Sequence, residues 1–289
     1  MSSAGWEIGL ARWSHLLGRD LQLPSRRAGG PERLWRASSS ELAILLRLSV
    51  AEARRLAASR FAGGPPHVAR RDPRFPEMLA SIPDPPFVLF CRDGVDAGLR
   101  AVRSSPAVAV VGSSRAHDRS LAFARDLGNG LAARGGGGGS GLARGIDAAA
   151  HRGALDADGI TIAVLGSGPD VIYPRGNAGL ADAIMAGGGS ILSEYWPGTR
   201  PARWRFPARN RIIAGLAQAA VVVEAAERSG ALITADFALE CGRTVLATPG
   251  APWSERHTGC NALIRSGAAV CEGVDDVLAE LAGAAPGVA

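Results

Sequence analysis

The chain has 289 residues, long enough for one large domain and a small one, and its 47% hydrophobic content can build a buried core without metals or disulfides. All 32 basic residues are arginine and outnumber 27 acidic ones, so the net charge of +5 suits an anionic partner but does not distinguish nucleic acid from nucleotide or from simple solvation. Four scattered cysteines, Cys91, Cys241, Cys260 and Cys271, form no CxxC pair or His/Cys zinc spacing, and no apolar run has the length of a signal-peptide core or a membrane span; the expectation is a cytoplasmic chain with reduced thiols and no membrane association.

Residues 1–64 carry helical periodicity and read as a small all-helical module. In "SSSELAILLRLSVAEARRLAASRF", Ser40 and Ser49 are placed to cap two short helices that bury Leu42, Leu45, Leu46, Leu48 and Leu56. "AGGPP", Ala62 to Pro66, breaks that pattern, and residues 65–104 read as an extended connector, rich in Pro and Asp, with one strand at "FVLFC". From about residue 105 to 283, short apolar runs ("AVAVVG", "TIAVLG", "SILSE", "AAVVVEA", "TVLATPG") alternate with amphipathic stretches. That alternation predicts an α/β fold: a Rossmann-like parallel sheet with helices on both faces. Where its second strand belongs, the chain offers Gly135 to Gly139, which has no side chains to pack and a high entropy cost. Residues 284–289 read as a tail, and no internal repeat is evident.

Ligands of open α/β sheets bind at the carboxyl ends of the strands. Three glycine-bearing loops fall there: "VGSSR" with Gly112, Ser113 and Arg115; "SGLARGID" with Gly141, Arg144 and Gly145; and "ERSGALITA" with Ser229 and Gly230. Small residues let a phosphate approach the backbone, and a following helix supplies free N–H groups. None has the GxGxxG or GxxxxGK[ST] spacing, so no nicotinamide, ATP or other cofactor is expected.

The run "RPARWRFPARNR", Arg200 to Arg211, holds five arginines in twelve residues, with Trp204 and Phe206 between them and no acid. It leads into a helix with Pro207 in the first turn, where arginine opposes the helix dipole. Two readings stand. Guanidinium groups interleaved with aromatic rings suit the phosphates and bases of a single strand. Alternatively the rings pack inward, and Arg209 and Arg211 pair internally, for example with Glu194 or Glu224. Asp147 and His151, four apart on one helix face, lack an evident third ligand and read as structural, and no nucleophile, base and acid set appears, so no catalysis is expected.

Taken together, "DPRFPEMLASIPDPPFVLF", "SGLARGIDAAAHRGAL", "GITIAVLGSGPDVIYPRGNAGLADAI", "ILSEY", "FPARNRIIAGL", "VVVEAAERSGALITADFALECGRTVLATPG" and "GCNALIRSGA" resemble the DNA processing protein A (DprA, Smf) family over about residues 67–282. The helical N-terminus is similar to the sterile-alpha-motif-like module of such proteins. The resemblance implies a non-enzymatic homodimer that binds and protects incoming single-stranded DNA and loads RecA recombinase in transformation and recombination. It nominates Arg144, Gly145, Arg203, Phe206, Arg209, Asn210, Arg211, Ser229 and Gly230 as pocket residues, and Arg205 joins them as part of the same arginine run. Two departures stand out. Relatives usually carry Arg directly after "VGS", where this chain has Ser114 followed by Arg115, and the pentaglycine replaces a β-branched strand. The alternatives are a nucleotide-processing enzyme like the LOG phosphoribohydrolases, echoed by "SGALITADFALE" with Glu240, and a divergent relative that has lost DNA binding.

Overall fold

The computed structural model describes residues 5–60, 64–92, 99 and 107–283. Part of the "AGGPP" break (residues 62–63), most of the connector beyond Arg92 and the tail 284–289 lie outside the described residues.

Five short helices open the chain: α1 (Trp6–Leu17), α2 (Gln22–Arg27), α3 (Pro31–Arg36), α4 (Ser39–Leu45) and α5 (Val50–Ala58). Both α4 and α5 begin in reciprocal capping boxes, Ser38 with Glu41 and Ser49 with Glu52. The cap of α4 is therefore Ser38 and not Ser40, because only Ser38 stands three residues before a glutamate that can return the hydrogen bond. Leu42, Leu46 and Leu56 are buried, and Leu45 and Leu48 pack against them. Trp13 and Trp35 stack at 4.6 Å in this core, which continues into Phe87, Val88 and Phe90 of the following strand segment.

Among the described residues nine strands form one sheet: β1 (His67–Ala69), β2 (Val88–Cys91), β3 (Ala107–Val111), β4 (Gly137–Ser140), β5 (Thr161–Val164), β6 (Ser190–Ser193), β7 (Ala219–Val222), β8 (Thr244–Ala247) and β9 (Ala269–Val270). Their order is β1-β2-β6-β5-β4-β3-β7-β8-β9. The ladders from β6 to β9 are parallel and those of β1 with β2 and β2 with β6 are antiparallel. The segment before residue 92 thus adds two strands to the sheet, where the sequence suggested one strand laid against it.

Between these strands run α6 (Glu77–Ala80), α7 (Asp118–Ala133), α8 (Ile146–Asp156), α9 (Ala178–Ala186), α10 (Arg205–Leu216), α11 (Gly230–Glu240) and α12 (Thr258–Arg265), and α13 (Val274–Gly283) follows β9. Alternate strand residues serve opposite faces. Ala109, Val111, Ile162, Val164, Ala220 and Val222 meet α10, α11 and α12, whereas Val108, Val110, Ala219 and Val221 meet α7, α8 and α13. Covering both faces makes the strands continuously apolar, the pattern that announced them.

The glycine run does form a strand. Gly137, Gly138 and Gly139 pair with Ala107, Val108 and Ala109, and Gly138, Gly139 and Ser140 pair with Thr161, Ile162 and Ala163. With two parallel neighbours supplying the ladder, local propensity is overruled. No helix among the described residues is long and apolar enough to cross a membrane.

Candidate nucleic-acid interface

Strand order reverses between β3 and β7. Successive strands after β3 move outward one way and those after β7 the other, so the loops leaving these two strands part and leave a crevice. Its floor is held by backbone contacts. Ser113 N–H donates to the Glu224 carbonyl at 2.7 Å, and Ile146 N–H donates to the Ser113 carbonyl at 3.2 Å. Gly145, at φ +73, brings the second loop so close that a Cβ there would lie 2.2 Å from the Ser113 oxygen. No other residue fits that contact. Glu224, fully buried, accepts from the His117 N–H at 3.0 Å and fixes the start of α7.

The loop after β4 is clamped from two sides. Asp147 accepts from the N–H groups of Gly141 (3.0 Å) and Ala143 (3.3 Å), while Asn177 donates to the carbonyls of Leu142 (2.9 Å) and Ala143 (3.2 Å). Burial raises the Asp147 carboxyl above its ordinary range, and the nearby Arg209 charge pulls it back. Leu142 sits at φ +56, a conformation non-glycine residues seldom adopt, and the two clamps hold it there. Between them Arg144 projects into solvent. His151 is buried, shares a hydrogen bond with Thr161 Oγ1 at 2.8 Å, and is pushed down to about 3 by burial, with Arg209 and Arg152 adding to the effect. Asp147 and His151 are thus structural, and among the described residues no group of three or more His, Cys, Asp or Glu could hold a metal ion.

The arginine run divides. Arg211 is 6% exposed and forms a bidentate pair with Glu194, both bonds at 2.7 Å; its Nε donates to the Asp84 carbonyl at 2.9 Å. Burial pulls its pKa down, but Glu194 and Asp84 hold it above the usual value. Arg209 is equally buried. It donates to the carbonyls of Gly141 and Val164 and to Asn210 Oδ1, and a Cβ on Gly141 would collide with its guanidinium. Asn210 in turn donates to the Gly230 carbonyl at 3.2 Å, tying α10 to α11. These three nominated residues are buried, with most of their hydrogen-bonding groups spent on protein, and the contact with Glu194 is the internal pairing the sequence left open.

The rest of the run faces outward. Arg203 is exposed, and Trp204 is 45% exposed with its ring edge-on to Tyr195 at 6.1 Å. Arg205 lies over both rings, 4.9 Å from Trp204 and 5.2 Å from Tyr195. Phe206, half-buried, pairs with Tyr173 at 5.5 Å above Gly166, whose missing side chain makes room for it. Helix α10 begins at Arg205, so Pro207 falls in the first turn, where a missing N–H costs nothing. Gly112, Ser113, Ser114 and Arg115 follow β3, with Ser114 and Arg115 exposed; Ser229 caps α11 by accepting from the Ala231 N–H, and Gly230 is open to solvent.

Tyr173, Asn177 and Tyr195 escaped the sequence reading. Tyr173 and Asn177 share "VIYPRGN" just past the apolar run of β5, and that position at a strand end was the available signal. Glu240, the residue that echoed a nucleotide hydrolase, sits at the far end of α11, about 15 Å along the helix from the crevice.

Residues 67–282 match the family described as DNA recombination-mediator protein A. Among curated relatives, Protein Smf of Synechocystis is 45% identical over 215 residues, covering 74% of this chain and 53% of its own length. DNA processing protein DprA of Streptococcus pneumoniae is 44% identical over 213 residues, 72% of each chain. The chain thus spans about half the length of the Synechocystis relative. The X-ray structure of the Streptococcus pneumoniae protein gives a TM-score of 0.71 at 36% identity, covering 95% of this chain and 92% of that one. A structure of DNA processing protein A from Helicobacter pylori, described as giving insight into its unique single-stranded DNA binding mode, gives 0.64 at 27% identity over 72% and 93%. With the family match running through the whole sheet and its crevice, the chain belongs to the DNA recombination-mediator protein A family.

Proposed function

We propose that this chain binds single-stranded DNA across the carboxyl ends of its parallel strands and passes it, as a homodimer, to a RecA-type recombinase in DNA uptake and recombination. The observation that carries the DNA reading is the charge left over once the interior is satisfied. Arg115, Arg144 and Arg203 stand exposed over three strand-end loops, and none makes an ion pair among the described residues. Beside them lie two sets of partly open rings, Phe206 with Tyr173 and Trp204 with Tyr195. Unpaired guanidinium groups meet phosphates, and rings accept bases of any sequence. The family relation and the Helicobacter pylori homologue point to the same ligand, and the recombinase and dimer steps rest on the family alone. The arginine displaced to position 115 remains in play, because Ser113 and Ser114 lift it clear of the crevice floor into solvent.

Fluorescence anisotropy of a labelled oligothymidylate over a salt series tests this. Affinity should fall with salt at a logarithmic slope of about −0.7 per phosphate met, and Arg203→Ala should make that slope shallower by about 0.7. Binding indifferent to salt, or no binding, defeats the proposal.

A further inference from the structure

The strand ends from β6 to β7 are accounted for above; the end of β8 is not. There the loop 248–257 carries Trp253, 85% exposed, the highest value of any large apolar side chain among the described residues. The ring does not hang on a loose tongue. Thr248 N–H donates to the Val222 carbonyl at 3.0 Å, Gly250 and Asn261 exchange hydrogen bonds at 3.1 and 3.0 Å, and Ser254 bonds His257 at 3.0 Å. Arg256 joins this loop to the crevice by donating to the Arg115 carbonyl at 2.5 Å and approaching Glu224 at 3.5 Å. A large ring is therefore held out into water by a well-tied turn, next to the loop that bears Arg115.

Its surroundings identify what it meets. Ser254, Glu255 and Arg256 follow it, Glu227 and Arg228 stand exposed on the neighbouring loop, and the exposed Pro249, Ala251 and Pro252 before it add only small apolar surface, so the indole is the one large apolar side chain exposed on these two loops. A protein partner would call for a wider contiguous apolar patch. A nucleobase needs one flat face and brings its own phosphate, which Arg115 and Arg228, exposed and without an ion pair among the described residues, can meet. From β5, which carries the Phe206–Tyr173 pair, to β8 is four strand intervals, about 19 Å. The intervening ends of β4, β3 and β7 carry Arg144, Arg115 and Arg228.

We propose that Trp253 is a stacking residue for a base of the same DNA strand, which crosses the strand ends from the Phe206–Tyr173 pair, over Arg144, Arg115 and Arg228, to the loop after β8. This rests on the single-stranded DNA reading and extends it to a bound length and a far terminus.

A ladder of oligothymidylates from about two to about twelve nucleotides, titrated against the full chain, tests it. In the native chain affinity should climb with length until the strand reaches β8. Trp253→Ala should cost oligomers beyond that length about 5- to 150-fold in affinity and leave shorter ones unchanged, while Trp253→Phe, which keeps a stacking face, should restore most of the loss. Because the ring is exposed, the urea midpoint of Trp253→Ala should equal that of the native chain. Native-strength binding of long oligomers by Trp253→Ala overturns the proposal and leaves the DNA reading standing, as does a loss equal at every length or a loss traced by sedimentation to a changed oligomeric state. A native chain that binds no oligomer overturns both.

Discussion

Arg203 and Arg211 come from one run of twelve residues, eight positions apart in sequence, and end in opposite environments. Arg203 is in water with no acidic partner among the described residues, whereas Arg211 lies between α10, the end of β6 and the segment before β2, its charge met by Glu194 and Asp84. The residue type is the same and the work differs. Buried guanidinium groups, Arg211 with Arg209, fix where the helix and the strand-end loops stand. Exposed ones, Arg203 with Arg144 and Arg115, are those proposed above to meet a ligand. A basic stretch is thus a mixture of scaffold and surface, and only the positions of distant carboxylates sort the two.

The widest separation between the two classes should come from stability. Arg211→Ala takes the cation from Glu194, 14% exposed, while Asp84 keeps Arg26 at 3.1 Å; breaking a largely buried pair in this way should cost about 3 kcal/mol. Arg203→Ala removes an exposed side chain and should stay within about 0.5 kcal/mol of the native chain. Urea unfolding of the two variants side by side measures both. A loss under about 1 kcal/mol for Arg211→Ala would mean that the internal pair is not structural, and the division would collapse.

A second test probes the interior class through proton binding. Burial, with Arg209 and Arg152 nearby, pushes the folded His151 ring down to about 3, while the unfolded ring titrates near 6.5. Between those values the unfolded chain holds the extra proton. Stability from this ring is therefore complete above about pH 6.5 and is lost as pH falls toward 3. Between pH 7 and pH 5 the native chain should lose about 2 kcal/mol that His151→Gln does not lose. Asp147, whose carboxyl is raised, acts with the opposite sign, but it is present in both proteins and cancels in the difference. Parallel pH dependences would show that the ring beside Arg209 is not the neutral, buried group described here.

The strands announced themselves because burial on both faces leaves them largely apolar, with Thr161, Ser190, Ser193 and Thr244 only at their ends; β3, β5, β6, β7 and β8 all stand where the apolar runs do. Strands β1 and β9 did not, since three and two residues at the sheet's edges are too short to show a period. The glycine loops and the arginine run were legible by composition. What could not be read was the fate of each arginine: Asp84 lies 127 residues before Arg211 and Gly141 lies 68 before Arg209, separations at which no local pattern operates. Tyr173 was hidden for a similar reason, its partner Phe206 arriving from another strand's loop.

The smallest effect concerns what lies beneath the buried arginines. The residue after strand β4, Gly141, lends Arg209 its carbonyl, yet Gly138 and Gly139 leave a void of about 10 Å³ against Ile162, Val164, Ile213 and Leu216 on the face covered by α10. Gly139 pairs with Ala109 and Ile162, residues of that same face, and a Cβ placed on it would come no closer than 3.8 Å to its nearest neighbour, the Ile162 carbonyl oxygen. Nothing in its backbone demands glycine. Gly139→Ala should therefore raise stability by about 0.5–1 kcal/mol, by narrowing the unfolded ensemble and adding a methyl group to the core. Gly135, four residues earlier at φ +74, should respond to Ala with a loss. If Gly139→Ala also destabilises in urea unfolding, the run is shaped by a demand for space under α10, and the support beside Arg209 is tighter than the void suggests.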